Sequence, residues 1–148
     1  MTNRMFLVFL LISGCAHYSL EESKISLSVN TIITPPHLQM READLTRLLV
    51  SELRTRGYDA AWNASGENQV LCKITQASLD ELDASVGADL IAECQVKATS
   101  GDFQVSSTGL GYAKAGPETF STVTDLAAAQ AIKDVSFRID SGFRNGNE

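Results

Sequence analysis

Two stretches, Gln69-Val70-Leu71-Cys72-Lys73-Ile74-Thr75-Gln76-Ala77 and Asp89-Leu90-Ile91-Ala92-Glu93-Cys94-Gln95-Val96-Lys97-Ala98, decide the fold. Each alternates apolar and polar residues with the period of two that a half-buried strand requires. Setting them antiparallel, so that paired residue numbers sum to 166, places Val70 opposite Val96, Cys72 opposite Cys94 and Ile74 opposite Ala92 on one face. The same register sets Lys73 against Glu93 on the other face, an opposite-charge cross-strand pair. A one-residue slip would move every apolar side chain to the wrong face, so agreement among all four pairs specifies the register. Asp80-Glu81-Leu82-Asp83-Ala84-Ser85-Val86-Gly87 between the stretches reads as their connection.

Ser100-Gly101 reads as a two-residue turn into a third antiparallel strand. Numbers summing to 201 then set Phe103 opposite Ala98 and Val105 opposite Val96. Ser107, Gly109 and Gly111 continue the inner face, and residues this small would let a helix lie close on the sheet. The outer face would gather Ile91, Leu110 and Tyr112, much apolar surface for a solvated side.

Toward the N-terminus, Ile25 to Ile33 alternates cleanly, with Ile25, Leu27, Val29, Thr31 and Ile33 on the inward side. Thr34-Pro35-Pro36 ends that strand, because Pro donates nothing to a ladder. Met40 to Arg56 then carries Leu45, Leu48, Leu49 and Leu53 at helical spacing, with Ala43 and Val50 flanking, and Gly57 follows as a left-handed C-terminal cap. Tyr58 to Ala61 is either a short strand or the approach to a turn, and residues 63–68 form a loop by composition. Gly116-Pro117 closes the strand region. A second helix is expected from about Thr122 to about Phe143, with Ala128, Ile132, Val135, Ile139 and Phe143 on one face, Val123 and Leu126 near it, and Thr122 with Asp125 as a loose capping box. The order β-α-β-β-β-α predicts an α+β fold, a two-layer sandwich of two helices on a mainly antiparallel sheet of about four strands.

The chain begins with Arg4, an apolar run from Met5 to Ile12 and then Ser13-Gly14-Cys15. A basic tip, a short apolar segment and small residues make a secretory signal, and the run is well short of the ~20 residues that span a bilayer. Leu11-Ile12-Ser13-Gly14-Cys15 resembles a bacterial lipobox. That resemblance implies cleavage before Cys15 and acylation of Cys15; the competing reading is an ordinary signal followed by a chance Cys. Ala16 rather than Asp in the next position implies, by similarity to enterobacterial lipoproteins, sorting to the periplasmic face of the outer membrane. The expected organisation is a signal at 1–14, a lipidated tether at 15–24, a single domain at 25–144 and a disordered tail at 145–148.

Eighteen acidic against twelve basic residues give a net charge of −6, and loss of the signal, which holds Arg4 and no acid, makes it −7. An acidic surface argues against nucleic acid as a partner. His17 sits in the tether and His37 in a loop, with no second ligand at metal spacing, and no nucleophile elbow, phosphate loop or dinucleotide fingerprint occurs. Asp80, Glu81 and Asp83 read as a solvated cluster, lacking the Gly and distal Glu of a calcium loop. The expectation is a non-catalytic protein without a cofactor. Cys72 and Cys94 are cross-strand neighbours in an oxidising compartment, so a disulfide and two buried thiols both fit; a redox pair would need a C-x-x-C motif.

The layout as a whole, and Leu45-Thr46-Arg47-Leu48-Leu49-Val50-Ser51-Glu52-Leu53 leading to Gly57 and then the strand Val70 to Thr75, resembles the LptE family of lipopolysaccharide-assembly lipoproteins, with YajG-type lipoproteins sharing a similar layout. The resemblance implies an accessory or plug subunit of the lipopolysaccharide translocon, partnered by the β-barrel LptD and assisting its assembly. Ile91, Leu110 and Tyr112 would then face the barrel or acyl chains, and Lys73, Lys97 or Lys114 would meet lipopolysaccharide phosphates. The alternative is a stand-alone periplasmic binding or scaffold lipoprotein.

Overall fold

The computed structural model describes residues 24–82, 84–114, 116 and 119–145. The signal, Cys15 and the tether up to Ser23 lie outside the described residues, as do Asp83, Pro117 and the tail beyond Asn145. The elements are β1 (Ser26–Val29), a 3-10 turn (Pro36–Arg41), α1 (Glu42–Thr55), β2 (Asp59–Trp62), β3 (Asn68–Leu82), β4 (Ser85–Lys97), β5 (Phe103–Lys114) and α2 (Thr119–Asn145). The fold is α+β, with two helices on a mixed sheet of five strands rather than four, in the order β2-β1-β3-β4-β5. The additional strand is β2. It runs parallel to β1, as β3 does on the other side, while β3, β4 and β5 form an antiparallel meander.

β3 and β4 pair in the register read from their alternation, from Gln69 opposite Lys97 to Gln76 opposite Leu90. Ala77 is then an extra residue, and beyond this bulge the pairing moves on by one. Residues 80–87 are not a connecting loop. The strands continue to Leu82 opposite Ser85 and close in a tight turn, because the bulge resets the alternation so that Leu79 and Val86 still meet the core. Cys72 and Cys94 form a disulfide, with Cα atoms 4.1 Å apart and a sequence separation of 22. A closed loop of that size restricts the unfolded chain by about 3 kcal/mol in the entropic account.

β5 departs from the expected register by two residues: Phe103 pairs with Val96 and Val105 with Cys94. The turn is longer than Ser100-Gly101. Asp102 Oδ1 accepts from the Ala98 amide, the Gly101 amide donates to the Ala98 carbonyl, and Gly101 has φ of +131°. A shift of two preserves the face of every residue, so Ser107, Gly109 and Gly111 do point inward. Their role is steric. A Cβ on Gly109 would lie 1.8 Å from the Ala127 carbonyl oxygen, and one on Gly111 would lie 2.1 Å from that of Val123. The backbone of α2 therefore rests directly on β5.

β1 is shorter than its pattern implies. The Asn30 amide donates to the Val70 carbonyl, but it is Ile33, not Ile32, whose amide donates to Cys72. One extra residue between these bonds reverses the alternation. Ile32 is buried and Ile33, expected inside, is 68% exposed. The reversal is held by α1: Thr46 Oγ1 accepts from the Ile32 amide, and Glu42 Oε1 accepts from the Thr34 amide and hydroxyl.

α1 ends as its sequence requires. Gly57 has φ of +97°, its amide donates to the Arg54 carbonyl, and the Tyr58 amide donates to that of Leu53, a Schellman arrangement. α2 begins three residues before the expected start, where Thr119 Oγ1 donates within the turn to the carbonyls of Gly116 and Lys114. Thr122 therefore lies inside the helix and does not cap it, and Asp125 pairs with Arg41 at 3.1 Å. Asn145, expected in the tail, belongs to α2. Leu126, expected near the buried stripe, is 51% exposed, because the glycine contacts rotate Val123, Ala127 and Ala131 onto the sheet.

Gly109→Val should lower unfolding free energy by about 2 kcal/mol or more, since a side chain there must displace helix backbone. Guanidinium denaturation followed by circular dichroism checks this, and Gly66→Ala, whose Cβ would meet nothing closer than 3.7 Å, serves as the contrast.

Candidate functional site

The helices cover one face of the sheet and leave most of the other open. Among the described residues, only at β1 is that outer face roofed: the loop 63–67 crosses it, the Ser28 hydroxyl donates to the Ala64 carbonyl, and Gly66 packs over Ser28. Over β3, β4 and β5 the outer side chains meet solvent.

Alternation places all six residues proposed for this face on it, but not in one cluster. Ile91 lies opposite Thr108 and diagonal to Leu110; Leu110 lies opposite Asp89; Tyr112 lies opposite Gly87. Leu110 is 44% exposed and Tyr112 63%. The Tyr112 ring covers Gly87, where a Cβ would come within 2.7 Å of it. These three make a short apolar strip near the far end of β5.

The lysines do not converge. Lys73 is already paired, its Nζ 2.7 Å from Glu93. Lys97 ends β4 opposite Gln69, while Lys114 ends β5 opposite Ser85. Twelve residues of β4 separate these ends, about 40 Å of strand. A single anionic group cannot touch both.

Between the pairs lies a shallow depression of about 480 Å³ whose walls include Ile33, Leu71, Lys73, Glu93, Gln95 and Gln104. Ile33 enters this surface only because of the extra residue after β1, a shift that alternation alone does not reveal. Trp62 is not part of it: its register partner Val29 is buried on the helix side, its indole N–H donates to Thr31 Oγ1 at 3.0 Å, and the Arg47 guanidinium of α1 lies 5.5 Å from its ring.

Asp80 and Glu81 occupy successive positions near the β3–β4 turn and point to opposite sides of the strand. Among the described residues, no three His, Cys, Asp or Glu side chains group as metal ligands. His37 lies in the 3-10 turn, its ring 5.7 Å from that of Phe120, and His17 falls outside the described residues.

Among the described residues, a buried ionisable network lies on the helix side of the sheet. Tyr58 donates to Asp140 Oδ1 at 2.8 Å, and Arg144 Nε donates to both oxygens of the same carboxylate. Nearby, Arg56 Nε donates to Ser136 Oγ, and its guanidinium lies 5.5 Å from the Phe137 ring. These contacts tie the end of α1 to α2. Burial, then the hydrogen bond to Asp140 and its charge, push the Tyr58 hydroxyl well above the ordinary value near 10. Among the described residues, no helix is long and apolar enough to cross a membrane.

No family model matches the chain, and no curated protein matches it. Solved structures do. A Xanthomonas campestris protein of the DUF330 family is 12% identical with a TM-score of 0.53, covering 84% of this chain and 91% of that one. A candidate lipoprotein from Caulobacter crescentus is 10% identical with a TM-score of 0.51, covering 78% of this chain and 90% of that one. Rare lipoprotein B from Shewanella oneidensis is 12% identical, at a TM-score of 0.45, with 80% and 96% covered. The first two likenesses establish the fold, and the third is too distant to argue from.

A raised folded-state pKa means that stability is fully present below the unfolded value near 10 and is lost as pH climbs above it. Unfolding free energy should therefore fall between pH 10 and 11 in the unsubstituted chain and fall less in Tyr58→Phe. At pH 7 that variant should be weaker by about 1 to 3 kcal/mol, since a buried carboxylate loses a donor. Urea titrations at the three pH values check both statements.

Proposed function

We propose that this chain is a non-catalytic lipoprotein, anchored through Cys15 to the periplasmic face of the outer membrane, and that it acts as an accessory subunit of a β-barrel translocon. The observation that carries this reading is the open outer sheet face, with Ile33, Leu110 and Tyr112 exposed on a rigid, disulfide-linked support. An exposed apolar strip rimmed by polar side chains supports a protein contact there. The lipobox-like stretch before Cys15 supports the anchor, and two or more acyl chains hold a protein stably where one does not. The fold is compatible, being shared with a candidate lipoprotein.

The resemblance to the LptE family favours lipopolysaccharide export as the system served, with LptD as the barrel. In this reading lipopolysaccharide is the cargo of the barrel and not a ligand gripped by this face. Lys73 is neutralised by Glu93, Lys97 and Lys114 stand at opposite ends of β4 and β5, and the chain is acidic overall.

Affinity purification of the full-length chain from outer membranes in mild detergent, with mass spectrometry, tests the reading. A large β-barrel of the lipopolysaccharide export system should be recovered in near-equal amount, and Leu110→Asp with Tyr112→Asp should cut that recovery about tenfold without changing the circular dichroism spectrum. Elution of the chain alone would overturn the translocon reading and favour the stand-alone periplasmic role.

A further inference from the structure

β5 is the last strand of the sheet, and its outer edge is unprotected over half its length. The Leu110 amide reaches Gln130 Oε1 at 3.4 Å, away from β4, so the even-numbered residues of β5 direct their backbone groups outward. Near the end of the strand these groups are used: Gln130 takes the Leu110 amide, and the Thr119 hydroxyl takes the Lys114 carbonyl. At Gln104, Ser106 and Thr108 no element among the described residues covers them. Edge strands are ordinarily blunted by Lys, Pro, a bulge or an inward charge. From Phe103 to Ala113 there is no charged residue and no Pro, and the pairing with β4 has no bulge. Beside this edge runs an open groove walled by Asp134, Phe137, Arg138 and Ser141 of α2, with Phe137 58% exposed.

We propose that this edge and the adjoining half of α2 form a two-fold interface with a second copy of this chain, joining two five-stranded sheets into one of ten strands. The reason for a second copy, rather than an unrelated strand, is charge. α2 runs antiparallel to β5, with Ala127 and Ala131 over Gly109 and Gly142 over Phe103, so Ser106 lies beneath the stretch near residue 136. A two-fold axis through Ser106 pairs Gln104 with Thr108 of the other copy. With residue 136 near the same axis, Asp134 of each copy comes opposite Arg138 of the other. Neither of these residues enters an ion pair among the described residues, so both are available for two reciprocal contacts. Strands in a sheet lie about 4.8 Å apart, and each α2 sits over both β4 and β5, so the two helices reach packing distance when the strands pair. An uncharged strand meets its own copy without like-charge opposition, and the interface is isologous and closes at two. The outer sheet face stays open in the pair, so this inference does not rest on the translocon reading.

The test is disulfide trapping of the full-length chain in membranes. Ser106→Cys should give a dimer on a non-reducing gel after mild oxidation, since residues facing each other across a hydrogen-bonded pair have Cα atoms ~5.5 Å apart, within disulfide reach. The unsubstituted chain and Thr75→Cys, on the outer face of β3 away from the edge, set the background. Asp134→Arg in the Ser106→Cys chain should reduce the dimer about tenfold, and adding Arg138→Asp should restore it. A dimer no stronger than background, a cross-link to a different protein, or a charge reversal that the double exchange does not rescue would overturn the proposal.

Discussion

The rest of the structure depends on one steric constraint, the direct contact of the α2 backbone with β5 at Gly109 and Gly111. A helix seated on side chains can slide or roll by an ångström and repack. A helix seated on glycine cannot, because carbonyl oxygens of Val123 and Ala127 occupy the space where Cβ atoms would stand. The contact fixes the rotation of α2 about its axis. Val123, Ala127, Ala131, Ile132, Val135 and Ile139 are thereby committed to the core, and Leu126 and Phe137 are committed to solvent. It also sets how close α2 lies to the free edge of the sheet, and hence the shape of the groove beside Phe137.

The same layer packing divides the molecule by chemistry. The inner side is apolar and dry except where a polar group has a specific partner, as Asp140 has in Tyr58 and Arg144. Those contacts sit at one end of the domain and bind α1 to α2. The outer side is a rigid sheet whose central strands are linked by the Cys72–Cys94 disulfide on the opposite face. A surface supported in this way presents side chains in set positions, with little ordering left to do on any contact. Charged groups on it are paired, as Lys73 is with Glu93, or separated by the length of the sheet, as Lys97 is from Lys114.

Much of this is legible from residue pattern. The register of β3 on β4, the Lys73–Glu93 pair, the adjacency of Cys72 and Cys94, the Gly57 cap and the small-residue stripe on β5 all follow from period-two or period-3.6 placement within contiguous stretches. Three departures from that pattern come from a single inserted residue or a lengthened turn. Alternation puts Ile33 on the inner face, and one extra residue between Asn30 and the bond to Cys72 turns it outward. The 80–87 segment was assigned to a loop because the Ala77 bulge disguises continued alternation. β5 was displaced by two because Gly101 and Asp102 belong to a longer turn.

By itself the sequence determined the α+β class, two amphipathic helices, an antiparallel meander and which side of β3, β4 and β5 faces inward. These depend on local periodicity, which a linear chain carries in full. Tertiary structure alone decided that β2 joins as a fifth strand parallel to β1, that Thr46 and Glu42 of α1 capture the chain after β1, and that β5 is left with an open edge beside Asp134 and Arg138. Each of those outcomes depends on which distant backbone groups find hydrogen-bond partners and which do not. That is settled only when all the elements are packed together, because a buried amide must be satisfied somewhere and an edge amide need not be.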